Sequence, residues 1–306
     1  MSILKPRFLH YVSTKLIYKP TLKFQNFYIS KRFCSNKVVT MSSNSGINLQ
    51  EIIKKLQQIA PLNLAESWDN VGLLVEPNPE AQINSILLTI DLTEDVVLEA
   101  IAVGSQLIIS YHPNIFRPLK SVTQSSWKER IIVQCIKNNI SVFSPHTSWD
   151  AMANGVNDWL GSALPINETK PILPNKENPN IGMGRVLTIK TLPLKYVIDL
   201  IKDHIGIPHL RIGIGRAKNL DSPISIVALC AGSGASVLGT VAADLYLTGE
   251  MSHHEVLEAT QRGISVILCN HSDSERGFLK IFQKLFANEH LAVHVSQQDR
   301  DCLTTV

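Results

Sequence analysis

Two short segments pair an imidazole with a carboxylate four residues later: His146-Thr-Ser-Trp-Asp150 and His271-Ser-Asp-Ser-Glu275. On a helical turn, residues i and i+4 project from one face, so each pair can grip one cation. Imidazole with carboxylate suits Zn, Mn, Fe or Ni, and no thiolate stands at these positions to favour structural zinc. His112, just before Pro113, supplies a further ligand. A single such pair is commonly a surface ion pair, and a lone His112 can cap a backbone carbonyl. Their shared position after apolar runs is what points to metal.

Other spacings carry weaker chemistry. Cys230-Ala-Gly-Ser-Gly-Ala-Ser236 is either a tight turn or a loop whose N–H groups hold a phosphate. Thr248-Gly249-Glu250 with His253-His254 puts acid and imidazole at a helix start. Glu250 then serves as general base or substrate contact, and His254 as a proton-transfer group or a support for a ligand. The alternative is a capped helix, with Ser252 as N-cap and exposed histidines. Asp69 and Asn70 read first as turn residues, with ligand orientation as the other option. His204, His209, His290 and His294 lack acidic company and read as structural.

The elements that must position these groups follow from apolar periodicity. Helical spacing predicts helices over 49–59, 94–103, 127–137, 194–204, 255–262 and 278–286. Short β-branched runs predict strands over 83–91, 106–111, 140–143, 185–189, 211–214, 224–229, 244–247 and 264–268. The alternation implies an α/β protein of largely parallel sheets covered by helices, and hints at two similar lobes. In such sheets ligands gather at the carboxyl ends of strands, where Tyr111-His112, Ser144–Asp150, Ala231–Ser236 and Asn270–Glu275 all fall. The polar, proline-bearing stretch 161–184 reads as a loop connecting lobes at about 48–160 and 185–306.

The 306 residues carry 29 Lys plus Arg against 26 Asp plus Glu, a net charge of +3. The first acidic residue is Glu51, whereas residues 1–40 hold eight basic ones. That acid-free leader has the composition of a mitochondrial transit peptide, with a basic nucleic-acid-binding arm as the alternative. Initiation at Met41 would give a leaderless, cytoplasmic form. The remaining body is mildly acidic and shows no basic patch, so direct nucleic-acid binding is disfavoured. No apolar run approaches the ~18 residues of a membrane span. The five cysteines are widely spaced without a CxxC pair, which argues against both a disulfide framework and a four-thiolate zinc.

Five ordered motifs then carry a resemblance: Glu66-Ser-Trp-Asp-Asn-Val-Gly-Leu-Leu-Val75, Ser110-Tyr-His-Pro113, Ser144-Pro-His-Thr147 with Asp150, Thr248-Gly-Glu-Met-Ser-His-His254 and Asn270-His-Ser-Asp-Ser-Glu-Arg-Gly277. Over residues 48–306 the chain resembles the Nif-three-like family, also called GTP cyclohydrolase I type 2 homologs. The resemblance implies two similar lobes with a metal site in the cleft between them, one or two divalent ions per chain, and assembly as a homo-oligomer, often a hexamer. Its ligand pattern, two adjacent His, an Asp, then a His and a Glu, maps onto His112, Asp150, His271 and Glu275. The first His of the adjacent pair is here Tyr111. A neutral phenol is a poor ligand at pH 7, so one metal position is expected to be weakened, or completed by water or His146. With only 161–184 between the lobes, the chain resembles the compact form lacking an inserted domain. The implied activity is metal-dependent hydrolysis of a nucleotide-like or heterocyclic small molecule. The alternative is a non-catalytic metal-binding protein or a partner of transcriptional regulators.

Overall fold

The computed structural model describes residues 46–285 and 291–304. The basic leader, Phe286 and His290 lie outside the described residues. In chain order, the first half contains β1 (Ile47–Asn48), α1 (Leu49–Ile59), β2 (Gly72–Val75), β3 (Gln82–Ile83), β4 (Ser85–Thr89), α2 (Glu94–Ala102), β5 (Leu107–Ser110), α3 (Trp127–Lys137), β6 (Ser141–Ser144), α4 (Thr147–Ala151) and α5 (Val156–Gly161). Then come β7 (Ile166–Lys170), β8 (Leu173–Pro174), β9 (Gly182–Met183), β10 (Arg185–Pro193), α6 (Leu194–Ile205), β11 (Arg211–Gly213), β12 (Pro223–Ser233) and α7 (Ala235–Leu238). The chain finishes with β13 (Leu245–Glu250), α8 (His253–Gln261), β14 (Ser265–Leu268), α9 (Asp273–Arg276), α10 (Phe278–Leu285) and β15 (Ala292–Val295).

Helix starts are set by local chemistry. Asn48, Thr93 and Ser126 each accept a bond from a first-turn N–H of α1, α2 and α3. Two mixed sheets result. One has the order β15-β4-β5-β6-β2, parallel except for β2 against β6. The other runs β11-β14-β13-β12-β10-β7, parallel only across β12-β13-β14. The protein is therefore α/β, but its second sheet is mixed rather than largely parallel. β10 pairs antiparallel with β7, and no helix lies between them because an antiparallel pair needs no crossover.

Stretch 161–184 is not a plain loop. It forms the exposed edge strand β7 and the small β8-β9 pairing. A fully exposed edge strand carries polar residues on both faces, so it lacks the apolar alternation that marks buried strands. Sheet membership also departs from chain order, because β15 returns to pair with β4.

Strand alternation divides the core. Ile86 and Leu88 of β4, with Leu245 and Leu247 of β13, face a shared central layer containing α1, α5, α6 and α10. Leu87 packs outward under α2 and α3, while Tyr246 packs outward toward α8. Two sheets thus clamp one core, with their parallel strands ending on the same group of loops.

Candidate metal centre

β5 delivers the first ligand. Its end is pinned by Tyr111 N–H to Thr89 O, His112 N–H to Ile90 O, and Ser110 Oγ to His112 O, so the His112 ring is held on a rigid backbone. β14 delivers the others. Asn270 adopts φ +65°, turning the chain so that His271 and the buried Glu275 of α9 face β5. The Ser274 hydroxyl donates to His271 O and accepts from Gly232 N–H, tying this turn to the end of β12.

The three side chains converge. His112 Nε2 lies 3.6 Å from Glu275 Oε2, and His271 Nε2 lies 3.5 Å from Glu275 Oε1. Ligand atoms of His112, His271 and Glu275 all fall within 4.8 Å of one another, so this group can hold a metal ion. Each imidazole is oriented from behind: His112 Nδ1 sits 2.9 Å from Asp91 Oδ1, and His271 Nδ1 sits 2.9 Å from Glu250 Oε1. A carboxylate that holds the Nδ1 proton leaves Nε2 as the free lone pair, the arrangement found behind metal-binding histidines. Glu275 Oε2 is buried without a hydrogen-bond partner, which suits an oxygen that binds a cation.

Electrostatics fit that reading. Burial, reinforced by Asp150 and Asp91, pushes the Glu275 carboxyl well above the usual carboxylate range. Burial also pushes the His112 imidazole down, against the opposing pull of Asp91, and keeps it neutral as ligation requires. A cation beside Glu275 would offset its upward shift and favour the ionised carboxylate.

A second, adjacent set forms around Tyr111. His146 heads α4 at φ +33°, and its Nδ1 lies 2.7 Å from Asp69 Oδ1. Its ring centroid is 5.3 Å from that of His112. Asp69 also accepts from the Thr147 N–H and hydroxyl. Burial opposes Asp69 ionisation, but its bonds from His146 and Thr147 prevail and hold it below the ordinary range. Asp150 is buried and accepts a 2.6 Å bond from the Tyr111 hydroxyl. Burial pushes its carboxyl up to about 6. The phenol, buried beside Asp150, is pushed well above 10 and stays neutral.

Of the residues proposed as ligands, His112, His271 and Glu275 are brought into one group, while Asp150 lines the same cavity on the Tyr111 side. Glu250 stands behind His271. His254 does not join them: it lies exposed on α8 beside a separate groove, where Glu255 accepts from the Ser252 N–H in helix-capping fashion. The glycine-rich loop is not open to phosphate at the amides of Ala231, Gly232 and Gly234. These are taken by Asn157, Ser274 and Thr248. Gly232 instead makes room: a Cβ there would come within 2.6 Å of Glu275 Oε1 and 3.1 Å of His271 Nε2. Asp91 escapes the sequence reading of the site, and Asp69 reads there first as a turn residue, with ligand orientation as the other option. Asp69 sits in the Glu66–Val75 motif, whereas Asp91 follows β4 with no spacing to mark it.

The cluster floors a cavity of about 560 Å³. Trp68, Phe116, Leu173, Met183 and Val237 form apolar walls, and Lys128 reaches the rim.

The chain is also similar to known proteins along most of its length. The chain is 48% identical to NIF3-like protein 1 of Drosophila melanogaster, covering 87% of this chain and 92% of that one. It is 34% identical to NGG1-interacting factor 3 of Saccharomyces cerevisiae, covering 84% and 96%. A Staphylococcus aureus hypothetical protein of known structure superposes with a TM-score of 0.75 at 25% identity, covering 85% of this chain and all of that one. With the family model Duf34/NIF3 (NGG1p interacting factor 3) matching residues 47–301, the chain belongs to the DUF34/NIF3 family.

Proposed function

We propose that His112, His271 and Glu275 bind a divalent ion and that the cavity above them hydrolyses a nucleotide-like or heterocyclic small molecule. The observation that carries this is the convergence of two carboxylate-backed Nε2 atoms on a buried glutamate with an unpartnered oxygen. A bound ion of this kind lowers the pKa of a coordinated water and polarises a substrate oxygen. The protein's own groups supply the rest. Asp91 and Glu250 fix the imidazole tautomers, while Asp150, its carboxyl pushed up to about 6 by burial, can take up or release a proton beside the floor. Trp68 and Phe116 offer aromatic edges and faces suited to a flat ring, with Lys128 at the rim for an anionic group. Zn, Mn, Fe and Ni all suit this donor set. Turnover of a panel of nucleotides and heterocycles, lost in His271→Ala and Asp150→Ala while folding persists, tests the reaction.

A second reading is favoured by the name of the yeast relative, NGG1-interacting factor 3. In it the chain is a metal-binding partner of a transcriptional regulator, and partner capture survives His271→Ala. Assembly as a homo-oligomer, up to a hexamer, is proposed on family resemblance; light scattering of the purified chain measures it. Mitochondrial import rests on the acid-free leader 1–40, with the Met41 form cytoplasmic. Fusing residues 1–40 to a reporter tests it.

A further inference from the structure

The C-terminal tail runs directly into the back of this site. After β15, Ser296 N–H bonds Leu88 O at the end of β4, and the Ser296 hydroxyl bonds Glu99 of α2. Asp299 is then buried, its side chain only 2% exposed, and its carboxylate serves both halves of the cluster. On one side Oδ2 accepts from Ile90 N–H at 2.7 Å and Oδ1 from Asp91 N–H at 3.4 Å, so it holds the backbone of the carboxylate that orients His112. On the other it pairs with Arg276, the residue after Glu275. Asp301 completes the link, accepting from the Ser272 hydroxyl at 2.8 Å and from Ser272 N–H at 3.3 Å. Arg276 donates to that same hydroxyl. Ser272 and Arg276 flank His271 and Glu275, so the tail touches the turn carrying two of the three proposed ligands.

We infer that residues 296–301 act as a staple that sets the spacing of His112 against His271 and Glu275, with Asp299 as the main positioning residue. This rests on the reading that those three side chains bind a divalent ion. A buried carboxylate paired with a guanidinium and two backbone N–H groups is expensive to dislodge, which makes it a firm joint between elements of the two sheets. The orienting shell behind a metal ligand is commonly worth ten- to a hundredfold in affinity. Loss of Asp299 would act one bond further back, through Asp91 on the His112 side and through Arg276 on the Glu275 side.

The test is Co²⁺ binding by the metal-free full chain, measured by competition with a chromophoric chelator. Asp299→Ala, Asp299→Asn, Asp91→Asn and the double variant Asp91→Asn/Asp299→Asn are compared with wild type. The conservative Asn variants keep the test alive if Asp299→Ala does not fold. We expect Asp299→Asn to weaken Co²⁺ about tenfold and to shift the visible absorption band of the saturated site. We also expect the double variant to lose less than the product of the two single losses, because the two changes share the route through Asp91 and the His112 imidazole. Wild-type affinity and spectrum in Asp299→Asn, with only a lower Tm, would overturn the staple. Losses that multiply fully in the double variant would do the same. Failure of the underlying reading is separable: wild-type chain that binds no Co²⁺, or His271→Ala that binds it equally well, removes the site itself.

Discussion

The Tyr111 hydroxyl donates to Asp150 Oδ1 across 2.6 Å, and both side chains are buried. The phenol proton thus satisfies one oxygen of that carboxylate. Among the described residues, only His112, His271 and Glu275 form a three-ligand group.

The expected stoichiometry is therefore one divalent ion per chain. Tyr111→His replaces a proton donor with a ligand beside Asp150 and should raise the count to two; Tyr111→Phe should leave it at one. Calorimetric titration of metal-free protein with Co²⁺ counts the ions. Two ions in the wild-type chain would contradict this account of Tyr111.

Gly232→Ala should empty the site while leaving the fold intact. Its φ of +64° costs alanine about 1–2 kcal/mol, and the new methyl would press on Glu275 Oε1 and His271 Nε2. Circular dichroism should stay native while Zn²⁺ affinity falls by more than tenfold. Retained affinity would show that the loop yields.

Much of this was legible beforehand. The buried parallel strands announced themselves by unbroken apolar runs, and polar residues at their carboxyl ends marked His112 and the 271–275 pair. The edge strand β7 did not, since exposure on both faces erases strand periodicity. Asp91 was invisible for another reason: it lies 21 positions from His112 and meets it only because β4 and β5 are neighbours. His254 misled because adjacency in sequence to Glu250 is undone where α8 begins and carries it to another groove.

Asp150→Asn gives a pH signature. Burial raises the wild-type carboxyl from 3.8 to about 6, so between those values the folded chain keeps a proton that the unfolded chain has released. Its contribution is fully favourable below 3.8 and is lost as pH rises through 6. Asparagine carries no such penalty. The metal-free variant should match wild type near pH 4 and exceed it by on the order of 3 kcal/mol above pH 6.5. Urea unfolding across pH 4–8 measures this; a constant offset would reject the buried-charge explanation.

Glu250 separates two roles. If it only holds the His271 Nδ1 proton, Glu250→Ala should weaken Zn²⁺ binding by about ten- to a hundredfold, with any activity restored at saturating metal. If it is the general base, affinity should hold and activity at saturating metal should collapse.

Above all, His112, His271 and Glu275 are proposed to hold a divalent cation. Elemental analysis of the full chain, purified without chelator beside His271→Ala and Glu275→Gln, tests it most directly. We predict close to one equivalent of a single transition metal in wild type and a near-metal-free protein in both variants. A metal-free wild-type chain, or variants that retain the full equivalent, would contradict it.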